Sequence, residues 1–210
     1  MRPTLLLSVL LAASPAAAQH WEAGAAAAVG FSSGRTAAGA AGQADAGFAR
    51  GLGASAYFGQ NLYRYFSGEF RYTFQRSDLR LTSGGAEVRF RGLSHAVHYD
   101  WLVHSRPAGA RVRPFAVAGA GVKQYRGTSR ESAWQPLSQF ALLTKTREWK
   151  SLLTAGAGVK FAASPRVTFR VELRSYVTSF PDKVIAPAPG AKIGGWLHTW
   201  APLAGVSATF

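Results

Sequence analysis

The sequence predicts an all-β chain closed as an eight-stranded antiparallel up-and-down transmembrane β-barrel. Three observations carry that prediction. Period-2 alternation of apolar and polar residues recurs in eight segments, as strands with two unlike faces require. The connections between segments alternate between short and long, the pattern of barrels with tight turns at one end and loops at the other. Several segments also carry an aromatic residue at each end of the apolar face, ten residues apart. At ~3.3 Å per residue and a tilt near 45°, that separation spans ~23 Å, close to the height of the apolar band of such barrels.

The first segment sets Trp21, Ala23, Ala25, Ala27, Val29 and Phe31 against Glu22, Gly24, Ala26, Ala28 and Gly30. The second sets Phe48, Leu52, Ala54, Ala56 and Phe58 against Gly51, Gly53, Ser55 and Tyr57, with Arg50 breaking the apolar face near the rim. In the third, Phe66, Gly68, Phe70, Tyr72 and Phe74 alternate with Ser67, Glu69, Arg71, Thr73 and Gln75. The fourth places Leu93, Val97, Tyr99, Trp101 and Val103, together with His95, opposite Ser94, Ala96, His98, Asp100 and Leu102.

Segments five and six cover about 114–125 and 149–161, and each contains the hexapeptide AGAGVK, at 118–123 and 155–160. A phosphate loop needs GxxxxGK followed by Ser or Thr and then a helix, whereas Gln124 and Phe161 follow these lysines inside β patterns. The glycines are expected to clear lumen volume for long side chains, and the lysines to end at opposite rims. The seventh segment sets Val167, Phe169, Val171, Leu173 and Val177 against Thr168, Arg170, Glu172, Arg174 and Tyr176. The eighth runs to the chain end, with Trp200, Ala204, Val206, Ala208 and Phe210 against Gly205, Ser207 and Thr209. The long connections, about 33–47, 76–91, 125–149 and 180–195, read as polar loops.

A soluble sandwich or lipocalin-like barrel would turn the apolar residues inward. The face opposite the aromatics then becomes a water-facing surface, yet its Glu, Arg, His and Asp lie mid-strand among glycines, which suits a small polar lumen better. The chain starts MRPTLLLSVLLAASPAAAQ, with Arg2, an apolar run and small residues at Ala16 and Ala18, the form of a secretory signal cleaved after Ala18. Residues 1–18 are therefore read as signal peptide and 19–210 as the barrel domain. No other stretch approaches the ~18 apolar residues of a transmembrane helix. The absence of cysteine is no obstacle to a fold closed by its own hydrogen bonds. The formal charge of +14 points to an anionic partner, and export argues against nucleic acid.

The ending LAGVSATF and the phrase RPFAVAGAGVKQYRG (113–127) resemble small bacterial outer-membrane β-barrel proteins of the OmpA/OmpX type, over residues 21–210. The resemblance implies an integral protein of the bacterial outer membrane. It also implies that the assembly machinery reads the last strand through Gly205, Ala208 and Phe210. Alanine often replaces larger side chains on the lipid face, and Pro202 departs from the pattern. Pro202 has no donor for the ladder, so a bulge or a later strand start is expected there.

An eight-stranded barrel is just wide enough for side chains to fill it. Glu69, Arg71, His98, Asp100, Arg170, Glu172 and Arg174 are therefore expected to form a charge network across strands three, four and seven, with a narrow small-solute channel as the alternative. Ser94, His98 and Asp100 share a face, but residues four apart on a strand lie ~13 Å apart, so they make no hydrolase triad. A lipid A-modifying barrel enzyme is a third reading, but WLHTW around His198 lacks a correctly spaced serine. No catalytic residue, metal site or cofactor is assigned, and His20, His95 and His104 lack ligand spacing.

Trp21, Phe31, Phe48, Phe58, Trp196, Trp200 and Phe210 read as aromatic girdles. Arg76, Arg80, Arg89, Arg91, Arg126, Arg130, Lys145, Arg147 and Lys150 lie at the loop end, where lipopolysaccharide phosphate is the fitting counter-charge. In the loop 128–146, Trp134, Leu137, Phe140, Leu142 and Leu143 are expected to pack on the barrel mouth. The expected partners are outer-membrane lipid, lipopolysaccharide and the assembly machinery, for a monomeric, non-enzymatic barrel with a structural, adhesive or lipid-contacting role.

Overall fold

A computed structural model describes residues 21–131 and 134–210; the signal segment 1–18 lies outside the described residues. In chain order the strands are β1 (Trp21–Ser32), β2 (Arg35–Gly39), β3 (Gly42–Phe48), β4 (Gly51–Tyr63), β5 (Phe66–Arg76), β6 (Leu79–Ser83) and β7 (Ala86–Phe90). They continue with β8 (Gly92–His104), β9 (Val112–Gly127), β10 (Ala141–Leu143), β11 (Arg147–Ala162), β12 (Val167–Ser179), β13 (Ile185–Pro187) and β14 (Trp196–Thr209). Eight of them close an antiparallel barrel in the order β1-β4-β5-β8-β9-β11-β12-β14, with β14 paired back to β1. At the seam Trp21 and Phe210 exchange backbone hydrogen bonds of 3.1 and 3.0 Å.

The alternation read from the sequence is the alternation of the wall. Along β5, Ser67, Glu69, Arg71, Thr73 and Gln75 are buried in the lumen, while Phe70 and Tyr72 are exposed on the outside. The outward surface is apolar and aromatic, and its one pairing of polar groups near mid-strand, Tyr72 Oη with His95 Nδ1 at 2.6 Å, is self-contained. The last strand departs from expectation only at Pro202. β14 starts at Trp196 and runs through Pro202 without a bulge, keeping one register with β1 on both sides of a gap opposite Val29 and Gly30. Its ladder to β12 is continuous through Leu173↔Pro202. The donor that proline lacks therefore faces β1, where the ladder is interrupted without shifting.

The long connections are not polar loops. β2 and β3, and β6 and β7, are hairpins that join in a four-stranded sheet, and β10 pairs with β13. Gly84 and Gly85, at φ of 56° and 82°, make the two-residue turn of β6–β7, a conformation that only glycine adopts without cost at both positions. Together these strands enclose a second apolar core above the barrel, built on Leu79, Leu81, Leu143, Val184, Ile185 and Leu197. Each such side chain taken out of water contributes ~1.5–3 kcal/mol. From the loop 128–146, Phe140 and Leu143 enter this core and Leu137 packs against it, whereas Trp134 and Leu142 stay exposed.

Phe48 also belongs to that core and not to the girdle. It ends β3, is 6% exposed, and its ring lies 5.2 Å from that of Tyr125. Ala49 and Arg50 lie between β3 and β4, outside either strand, so a parity counted from Phe48 into β4 crosses a break. Outside, Arg50 sits over the Phe31 ring at 5.3 Å.

Leu79→Ala is expected to cost ~2–5 kcal/mol locally. It should loosen the roof without opening the barrel: limited proteolysis should cut within 33–47 and 76–91 faster, while the unheated band keeps its folded mobility on gels. A barrel that no longer shifts on heating would show that roof and wall are one cooperative unit.

Candidate functional site

Residues two apart on a strand share a face, so β5 offers Glu69 and Arg71, β8 offers His98 and Asp100, and β12 offers Arg170, Glu172 and Arg174 to one interior. β5 and β8 are neighbours, with Glu69 opposite Asp100 and Arg71 opposite His98. β12 reaches them across the lumen. The structure brings all seven together, each no more than 2% exposed.

Arg71 Nη2 lies 2.7 Å from Glu69 and 2.9 Å from Glu172. Arg170 pairs with the same two carboxylates at 2.6 and 2.8 Å. Arg174 binds Glu172 at 2.6 Å and Glu69 at 3.3 Å, and also Asp100. His98 Nδ1 (3.0 Å) and the Thr154 hydroxyl (2.6 Å) complete Asp100. Three guanidinium groups thus share three carboxylates, and the cluster is neutral as a whole. Sharing Glu69 and Glu172 each among the three guanidinium groups offsets the desolvation of the buried ions, although Arg170 Nε and Nη2 make no hydrogen bond among the described residues. The Tyr57 ring adds a cation–π surface for Arg71 and Arg170, whose Cζ atoms lie 4.6 and 4.4 Å from its centroid.

The repeated hexapeptide makes the room. The two copies meet only at Ala118↔Ala155 and diverge toward opposite ends of the barrel. A Cβ on Gly156 would stand 3.2 Å from Arg174 Cγ, one on Gly158 3.0 Å from Glu172 Cγ, and one on Gly121 2.6 Å from His98 Cβ. A Cβ on Gly119 would overlap the Asp100 carboxylate. Lys123 ends toward the roof, near the Tyr125 and Tyr176 rings at 4.9 and 5.8 Å, while Lys160 ends toward the short turns and pairs with Glu22. The sequence reading left Glu22, Lys160, Thr154 and Tyr57 outside the network. Their inward parity was visible, but which strands face each other across a lumen is set by closure, not by any one segment.

The chemistry of this cluster is limited. His98 Nε2 has no hydrogen-bond partner among the described residues, so no hydroxyl is held for attack, and Ser94 lies level with Gln75 and Tyr125. Among the described residues no three His, Cys, Asp or Glu side chains converge as metal ligands.

Outside, at the loop end, a row along the ladder hydrogen bonds crosses neighbouring strands. Register places Arg76 of β5 beside Leu93 of β8, Leu93 beside Arg126 of β9, and Arg126 beside Arg147 of β11. All three arginines are exposed and none pairs with a carboxylate among the described residues. The other predicted cations lie on the roof or near it. Arg80 and Arg89 are partners in the β6–β7 hairpin, and Arg89 pairs with Glu87. Arg91, Arg130 and Lys145 are exposed on connections. Lys150 bridges Glu148 and Asp182 at 2.7 and 3.1 Å, and its ammonium holds the Asp182 carboxyl below the ordinary range.

Residues 4–195 match the family model described as outer membrane protein beta-barrel domain. The chain belongs to that family. No curated protein matches it by sequence. Among solved structures, Neisserial surface protein A is similar at 14% identity and TM-score 0.57, over 90% of this chain and 97% of that one. OprG from Pseudomonas aeruginosa is similar at 12% identity and TM-score 0.58, over 92% and 96%. The outer membrane protein AlkL, in lipid bilayers, is similar at 11% identity and TM-score 0.52, over 92% and 90%. These likenesses concern the fold.

The outward aromatics gather in two groups, one at each end of the barrel. Trp21 stacks on Phe58 at 4.9 Å, and Phe210 lies 6.3 Å from Phe58, at the short-turn end. Phe31 is level with Trp200 at the loop end, where Trp196 also faces outward, with His198 between the two tryptophans on the same face. On the terminal strand, Gly205 sits against Ala26, Ala208 lies between Ala23 and Val167, and Phe210 closes the seam.

Arg174→Leu would leave Asp100 in the lumen without a guanidinium partner, at ~3–5 kcal/mol for an uncompensated buried charge, while Glu172 keeps Arg71 and Arg170. The urea midpoint of the folded protein in micelles should fall accordingly, and Arg174→Leu with Asp100→Leu should recover part of the loss. An unchanged midpoint in the single variant would sink the shared-lattice account.

Proposed function

We propose that this protein is a plugged outer-membrane barrel that acts through its surfaces, in a structural, adhesive or lipid-contacting role, without enzymatic activity. The observation that carries this reading is the occupied lumen: Glu69, Arg71, Asp100, Arg170, Glu172 and Arg174 fill the cross-section at no more than 2% exposure each. Above them the roof core seals the other end. A solute channel needs a hydrated path, and here the charged side chains pair with one another across the lumen instead. In planar bilayers in concentrated KCl the purified protein should give no steady single-channel current; reproducible ohmic steps would favour the channel.

The lipid-contacting part rests on the row of Arg76, Arg126 and Arg147. It lies at the loop ends of β5, β9 and β11, and its guanidinium forks lack carboxylate partners among the described residues. Lipopolysaccharide phosphates supply matching bidentate acceptors. Export through the cleaved signal segment and insertion through the strand ending in Phe210 belong to the same proposal. Replacing the three arginines by glutamine should weaken lipopolysaccharide binding about tenfold, since each exposed contact contributes up to ~1 kcal/mol. It should also flatten the salt dependence of binding. Equal affinity in titrations of parent and triple variant would reject this contact.

A further inference from the structure

The short-turn end of the barrel is not filled. Below the charge lattice a cavity of about 860 Å³ opens between the turns, within the ~300–1,000 Å³ common for small-molecule sites. Its wall carries Arg64 from the β4–β5 turn, Arg111 from the β8–β9 connection, Arg113 at the start of β9 and Lys160 near the end of β11. Among the described residues the one carboxylate in the lining is Glu22, already bound by Lys160 and by the Ser207 hydroxyl at 2.7 Å. Arg64, Arg111 and Arg113 form no ion pair among the described residues.

Arg113 is the decisive group. It is only 7% exposed, its Nη1 donates to Asn61 Oδ1 at 3.2 Å and its Nε to the Arg106 carbonyl at 3.4 Å. Its Nη2 is buried and has no hydrogen-bond partner among the described residues. Leaving such a donor unmet costs ~1–3 kcal/mol or more for a charged group, which a bound acceptor would remove. The frame is fixed: Ala108 N–H donates to the Arg64 carbonyl at 2.9 Å and Ala162 N–H to the Arg111 carbonyl at 2.8 Å, tying the turns that carry the cations.

We propose that this vestibule binds a phosphate-bearing ligand, entering from the side that the short turns face. A phosphate group offers oxygens to several guanidinium forks at once, and three unpaired arginines around one opening are the matching donor set. Leu62, Tyr63 and Pro165 in the same wall provide apolar surface for the organic part. The ligand is either a soluble phosphorylated molecule or the headgroup of an anionic phospholipid.

Titration calorimetry of the full folded chain in zwitterionic micelles, with inorganic pyrophosphate as probe, should show saturable binding at one site. Arg64→Gln with Arg111→Gln, both on exposed turns, should weaken it at least tenfold, and so should Arg113→Gln. Arg126→Gln with Arg147→Gln, at the other end, should leave it unchanged. Absence of saturable binding, full affinity in the turn variant, or an equal loss in the loop-end variant would overturn the site. Phosphatidylcholine and phosphatidylglycerol vesicles separate the sources. Pyrophosphate affinity lost only in phosphatidylglycerol identifies a headgroup, and affinity kept in both identifies a soluble ligand.

Discussion

Closing eight strands leaves an interior only as wide as the side chains that fill it, and the rest of this structure follows from that limit. Long arginines on β12 can cross the lumen only where β9 and β11 present glycine, and they can stay charged there only where β5 and β8 present carboxylates. Size and charge are therefore set together. A lone arginine in this wall would be both too long and unneutralised, whereas the set Glu69, Arg71, Asp100, Arg170, Glu172 and Arg174 is at once a steric and an electrostatic solution.

How far this was readable from sequence depends on what each signal is made of. Face parity is local, and it placed Glu69, Arg71, His98, Asp100, Arg170, Glu172 and Arg174 on inward positions strand by strand. The two AGAGVK copies were interpretable for the same reason, because a glycine alternating with alanine announces a face that must stay thin. Partner choice is not local. That Arg174 reaches Asp100 while Lys160 reaches Glu22 depends on the stagger of the closed sheet, which no single segment contains.

The errors cluster where an element begins or ends. Phe48 shared the parity of Leu52 and Phe58, and only the break at Ala49 and Arg50 sends it under the roof. The hairpin β6–β7 reads as loop because the charges around it outweigh the strand-and-turn signal of Leu79 and Leu81 alternating with polar residues ahead of Gly84 and Gly85. Polar composition marks solvent exposure on one face, and a two-faced element half covered by its neighbours keeps that composition. The same roof explains why Trp134 and Leu143, close in sequence, have opposite fates.

The seam where Trp21 meets Phe210 bears on how the protein comes to exist. Its ladder joins residues from the two extremes of the described chain, so no nascent or truncated chain lacking β14 has a closed barrel. Loop closure over such a span adds little entropy beyond that of shorter loops, but it postpones the most distant pairing to the end of the process. The interruption opposite Val29 and Gly30, left by Pro202, falls on this last-formed junction. The proline thus interrupts the ladder at the strand pair that closes the barrel.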